Sequence, residues 1–153
     1  MIKLNYIKKY LSKEELDSLS NHIAEIEKFT SGEIRICFKK NTAWAERKLS
    51  SREMAVKEFH KLGMHNTKHK TGVLLYILFK DRKFEIVADK GINDKIPAEK
   101  WEVIKNHLTN EFKSGNFKSG IIKSLDEIKE VLIKEFPRKD DDINELSNDI
   151  VIE

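Results

Sequence analysis

Three sets of side chains in this sequence could do chemistry, and each suggests a different ligand. Asp89, Asn93 and Asp94 cluster around Gly91, and Glu33 offers a further carboxylate from far upstream. Hard cations such as calcium and magnesium take six or more oxygens. A turn with two carboxylates, an amide and main-chain carbonyls is a partial shell of that kind. The same residues also read as plain structure: Asn93 and Asp94 form a turn, and Asp94 helps to cap a helix begun near Pro97.

The histidines are a second set. His65 and His69 stand four apart with His60 upstream, but Gly63 interrupts the helix that would align them. Lys68 and Lys70 flank the second histidine, and no cysteine or carboxylate stands close by to complete a zinc site. They read as solvated loop histidines. Cys37 is the third candidate. It falls within a strand pattern, where a small buried hydrophobe is the better description. No G-x-S-x-G or P-loop pattern supplies a nucleophile or a phosphate cradle. A single cysteine excludes an intrachain disulfide and a multi-cysteine zinc cluster, which fits a reduced, cytoplasmic setting.

The elements that must position these residues follow from hydrophobic spacing. Ser12 and Glu15 form a capping box, and Leu16, Leu19, Ile23 and Ile26 continue it as a helix. Ser31-Gly32 ends that helix. Ile34, Ile36 and Phe38 alternate with Arg35 and Cys37, giving a strand with one wetter face. Ala45, Leu49, Val56 and Phe59 predict a helix from about Thr42 to Leu62, with Gly63 as its left-handed C-terminal cap. A polar loop runs from His65 to Thr71.

Val73 to Phe79 is continuously apolar, as a strand covered on both faces should be. Asp81-Arg82 turns the chain into a second hairpin arm, Phe84 to Ala88. Pro97 suits a first helical position before Trp101, Ile104, Leu108 and Phe112. Gly115 ends that helix, and Phe117, Ile121, Leu125, Ile128 and Leu132 define another, stopped by Pro137. Trp44 and Trp101 most simply pack helices onto the sheet.

This order predicts an α/β fold, a three-layer α/β/α sandwich around a small mixed sheet. A right-handed crossover makes the first two strands parallel, and the hairpin makes the third antiparallel to the second. One rim then gathers Glu33, the loop before Gly72, and Asp89 to Asp94. Any site belongs where such loops converge on a rigid sheet.

Length and charge bound the rest. The 153 residues suffice for one domain, and 39% hydrophobic content at regular spacing argues against disorder despite 36% charged residues. In residues 138–153, Arg138 and Lys139 face Asp140, Asp141, Asp142, Glu145, Asp149 and Glu153. That tail carries −4, leaving +7 on residues 1–137, which are read as a single domain. Ile143, Leu146, Ile150, Val151 and Ile152 could dock the tail onto it, with electrostatic attraction as the tether. No signal-peptide core or membrane-length apolar run occurs.

Five motifs in order resemble the TPM domain family, named for a thylakoid-lumen protein, a photosystem II repair factor and a nematode receptor modulator. They are Ser31-Gly32-Glu33-Ile34, Thr71-Gly72-Val73-Leu74-Leu75, Asp81-Arg82, Gly91-Ile92 through Ile96-Pro97, and Phe112-Lys-Ser-Gly-Asn-Phe-Lys-Ser-Gly120. The resemblance spans roughly residues 12 to 136, by the helix start and stop signals. It implies an α/β/α sandwich, and it brings in two activities: acid phosphatase in some plant members, and divalent-cation binding near these loops in others. Further members resemble assembly or repair factors for membrane complexes.

In this chain the family's G-Y-G-L-E-G corresponds to Asp89 through Asp94, with Asn93 at the Glu position. Lys68 and Lys70 precede Gly72, and their charge should weaken cation binding. The expected function is a soluble, monomeric binding or assembly module with a protein partner. Weak calcium or magnesium binding at Asp89, Asn93, Asp94 and Glu33 is expected of it. A weak metal-dependent phosphatase is the alternative, and a basic nucleic-acid-binding module the second.

Overall fold

The structure, a computed structural model, describes residues 2–140 and 142–153. Met1 and Asp141, the latter one of the acidic residues of the tail, lie outside the described residues. Four strands form one sheet: β1 Glu33–Lys39, β2 Gly72–Leu78, β3 Lys83–Ala88 and β4 Val151–Ile152. Their order is β3-β2-β1-β4. β1 runs parallel to β2 and to β4, and β2 pairs antiparallel with β3. The sheet is mixed, as the crossover and hairpin require.

Helices cover both faces. They are α1 Ile2–Ile7, α2 Lys13–Glu27, α3 Ser51–Lys61, α4 Lys90–Asn93, α5 Ala98–Lys113 and α6 Phe117–Glu135. On one face Ile34, Ile36 and Phe38 of β1 and Val73, Leu75 and Ile77 of β2 pack against α2, α5 and α6. On the other, Cys37, Leu74, Tyr76 and Leu78 meet Met54, Ala55 and Phe59 of α3. Every residue of β2 is buried, as its unbroken apolar run demanded. Among the described residues no helix is long and apolar enough to cross a membrane.

The structure departs from the sequence reading in several places, each with a local cause. The helix expected from Thr42 to Leu62 is divided into a 3₁₀ turn at Trp44–Glu46 and α3. Ser50 is the reason. Its hydroxyl accepts the Glu53 N–H at 3.1 Å while its own N–H donates to Glu53 Oε1 at 3.4 Å. That second capping box starts a new helix and leaves Ser50 itself extended. Trp44 consequently does not pack a helix onto the sheet: it is 78% exposed, with the Arg47 guanidinium 5.9 Å from its ring. Trp101, in contrast, is buried as expected.

Pro97 stands one residue before α5, in extended conformation, rather than at its first helical position. Where a turn through Asn93 and Asp94 was expected, Asn93 is the last residue of the short helix α4 and Asp94 its C-cap. The Cys37 face of β1 is drier than its alternation suggested, because α3 and the tail cover it. Gly63 does adopt the left-handed conformation, at φ 70°.

The tail returns across the sheet and ends as β4. Leu146 and Val151 join the α3-side core, and Ile150 and Ile152 the opposite one. The Glu153 N–H donates to Phe38 O at 2.7 Å, extending the β1 ladder. Docking therefore rests on main-chain pairing and apolar contact as well as on charge.

Candidate functional site

The rim at the start of β1 and β2 and the end of β3 is tied together by main-chain bonds. The Glu33 N–H donates to Thr71 O at 3.0 Å, and the Asp89 N–H to Gly72 O at 2.9 Å. Thr71 Oγ1 donates to Ser31 O at 3.2 Å. The loop before β2, the start of β1 and the start of α4 thus form one surface.

Asp89 is the N-cap of α4: its Oδ1 accepts the Lys90 N–H at 2.8 Å. Its other oxygen, Oδ2, is buried and meets no donor among the described residues. An unpaired buried carboxylate oxygen is costly unless something supplies the missing partner. Asn93 donates from Nδ2 to Ala88 O at 2.7 Å, which leaves its amide oxygen as the free ligand atom. Asp94 is the C-cap of α4 and is exposed. It does not cap α5, which has no side-chain cap.

Gly91 brings the loop before β2 against α4. A Cβ on it would lie 2.4 Å from His69 O and 2.5 Å from Lys70 O, so only glycine permits this approach. Two main-chain carbonyls are thereby packed against the helix that Asp89 caps. Lys70, in the left-handed region at φ 56°, turns its ammonium back onto His65 O.

Glu33 sits two strands away from Asp89's strand, roughly 10 Å by two interstrand spacings. It is buried, and its Oε1 accepts the N–H groups of Glu145 and of Leu146, the latter at 2.9 Å. Burial pushes its carboxyl above the usual range, against the opposing pull of those two donors. Glu145 in turn accepts the Lys68 N–H, at 3.1 and 3.2 Å. The acidic tail therefore crosses the rim beside the loop lysines.

Of the histidines, the rings of His60 and His65 pack at 4.8 Å and His69 is exposed. A different trio converges on the α3 side of the sheet: Cys37, Glu58 and Glu153, with ligand atoms all within 4.8 Å of one another. Burial pushes the Cys37 thiol well up. Burial and the neighbouring Glu153 push the Glu58 carboxyl up to about 7. Burial would raise Glu153 too, but the Glu58 carboxyl beside it and the Lys61 ammonium hold it below the usual range. Sequence reasoning missed this trio because its members come from β1, α3 and the residue that follows β4. One signal was available: Glu58 lies on the same helical stripe as Met54 and Ala55, a carboxylate on the apolar face.

Comparison with known proteins shows the same overall fold elsewhere. The chain superimposes on the NMR structure of BA42 protein from the psychrophilic bacterium Bizionia argentinensis with a TM-score of 0.84 and 39% identity, covering 95% of this chain and 97% of that one. It shares the fold of the N-terminal domain of a P. gingivalis protein, at a TM-score of 0.67 and 18% identity over 83% of this chain and 79% of that one. No curated protein sequence matches it. The TPM domain profile matches residues 6–131, which run from α1 through most of α6 and take in the whole rim. By that match this chain belongs to the TPM domain family.

Proposed function

We propose that the protein is a non-catalytic binding module whose rim takes a hard divalent cation, calcium or magnesium, at Asp89. The observation that carries this is Asp89 Oδ2, buried and without a donor among the described residues, on the helix that the carbonyl-bearing loop packs against. Asn93 and Asp94, at the other end of α4, supply an amide oxygen and a second carboxylate toward the same shell. Glu33 contributes at a distance, by holding the tail and its acidic groups over the loop lysines. Lys68, Lys70 and Lys90 oppose the cation, so affinity should be on the order of millimolar, as in low-affinity calcium modules.

Titration with calcium and with magnesium, followed by amide chemical shifts, tests this. Shifts should centre on residues 68–72 and 89–94 and should vanish in Asp89→Asn. Shifts confined to the Asp81 rim would overturn the assignment. Hydrolysis of an aryl phosphate, abolished by chelator and by Asp89→Asn, would replace the binding reading with a phosphatase. Strongly salt-dependent retention on nucleic acid would replace it with the third class.

A further inference from the structure

We propose that Cys37, Glu58 and Glu153 bind one divalent cation of the zinc type on the α3 side of the sheet, closing β4 against β1. Their sulfur and carboxylate oxygens already lie within 4.8 Å of one another. The Glu58 side chain is only 7% exposed, yet its Oε1 is buried with no hydrogen-bond partner among the described residues. A buried carboxylate oxygen beside a thiol and a second carboxylate can be met there by the weak S–H donor, by a proton shared with the other carboxylate, or by a cation that replaces both protons.

The donor set decides the metal. A thiolate suits zinc and its borderline-soft neighbours and is a poor ligand for calcium or magnesium. One sulfur and two carboxylate oxygens supply three of four tetrahedral positions, leaving the last to water. Bond lengths to zinc place such ligands roughly 3.5 Å apart, so the trio contracts by about an ångström on binding. That movement is available: Glu153 follows a strand of only two residues at the sheet edge, and its side chain is held by the exposed Lys61 rather than by packing on both sides.

Charge and protons balance. Three anionic ligands around a dication leave one negative charge, and Lys61 is in place to meet it. Its ammonium lies 2.8 Å from Glu153 Oε1 and 3.9 Å from Glu58 Oε2, on a side chain that is 64% exposed and free to rearrange. The metal–sulfur bond forms as Cys37 gives its S–H proton to solvent, and Glu58 gives up its proton where it holds one. No electron is transferred. This site shares no residue with the Asp89 rim, so either can fail without the other.

The test is a cobalt(II) titration of the full chain, reduced and freed of metal beforehand. The expected result is one equivalent bound. It should show thiolate-to-cobalt absorption in the near ultraviolet and intense tetrahedral bands in the visible, displaced by zinc but not by calcium. Cys37→Ser should abolish the near-ultraviolet band. Because Cys37 is fully buried and its variant is at risk of misfolding, Glu153→Gln at the sheet edge provides the second readout. It should weaken binding by about a hundredfold, the upper end for loss of even an outer-shell partner. The thiolate-to-cobalt band reports this site alone, whatever the rim at Asp89 binds. Absence of the thiolate band in the wild-type chain overturns the proposal. So do tetrahedral bands without it, which would point to His60 and His65, or a band equally strong in Glu58→Gln and Glu153→Gln.

Discussion

Glu33 Oε1 accepts the main-chain N–H of Leu146 at 2.9 Å, and that of Glu145 beside it. A carboxylate at the first position of β1 thus fixes a segment more than a hundred residues downstream. Glu33→Ala should leave both donors unsatisfied, at a cost of about 1–3 kcal/mol. Hydrogen exchange should then accelerate at residues 145–153, including the Glu153 amide that pairs with Phe38 O, while β2 amides stay protected. Glu33→Gln, which keeps an acceptor, should have the smaller effect. Unchanged exchange in the tail of Glu33→Ala would show that β4 docks without this anchor.

Stability should fall as pH rises toward neutrality, because of Glu27. Its Oε2 accepts the Ile34 N–H at 2.8 Å, but Oε1 is buried without a partner among the described residues, and burial pushes the carboxyl up to about 7. A folded-state pKa above the unfolded one means that the folded chain holds the proton more tightly. The associated stability is fully present below about pH 4.5 and is lost as pH rises through about 7, by about 3 kcal/mol. Glu58, also pushed up to about 7, adds a slope of the same sign. Urea midpoints measured between pH 5 and 8 should decline in the wild-type chain, less in Glu27→Gln, and least with Glu58→Gln added. A slope identical in wild type and Glu27→Gln would exclude Glu27 as its source.

Gly91→Ala should separate α4 from the loop before β2. Its methyl would meet His69 O and Lys70 O far inside contact distance, and backbone carbonyls have little room to yield. A loss of about 1–3 kcal/mol is expected from overpacking of this kind. Thermal melting measures it, and calcium-induced shifts at residues 89–94 should disappear in the same variant. A variant as stable as wild type would mean that the loop moves freely.

The sandwich was legible wherever the signal was local. The unbroken run of β2 and the Asp81-Arg82 turn each follow from a few adjacent residues, and the parallel pairing of β1 with β2 follows from handedness. Ser50-x-x-Glu53 was equally legible, yet the apolar spacing from Ala45 to Phe59 masks it by bridging the gap between two separate helices. β4 was not legible. Val151-Ile152 is two residues long and preceded by acidic groups, so nothing local marks it as a strand partner of Cys37 and Phe38. The rim's ligands could be grouped from topology. The engagement of Glu33 by the tail, and the meeting of Cys37 with Glu58 and Glu153, depend on where that strand lands.

The same two-residue strand sets a timing problem for the newborn chain. β1, β2 and β3 and the helices α1 to α6 are synthesised before residues 151 and 152, so the ordered core can assemble while the outer edge of β1 still has open N–H and C=O groups. During that interval a neighbouring nascent chain can pair there instead, the usual route to edge-to-edge aggregation. The late tail acts as a stopper for the sheet.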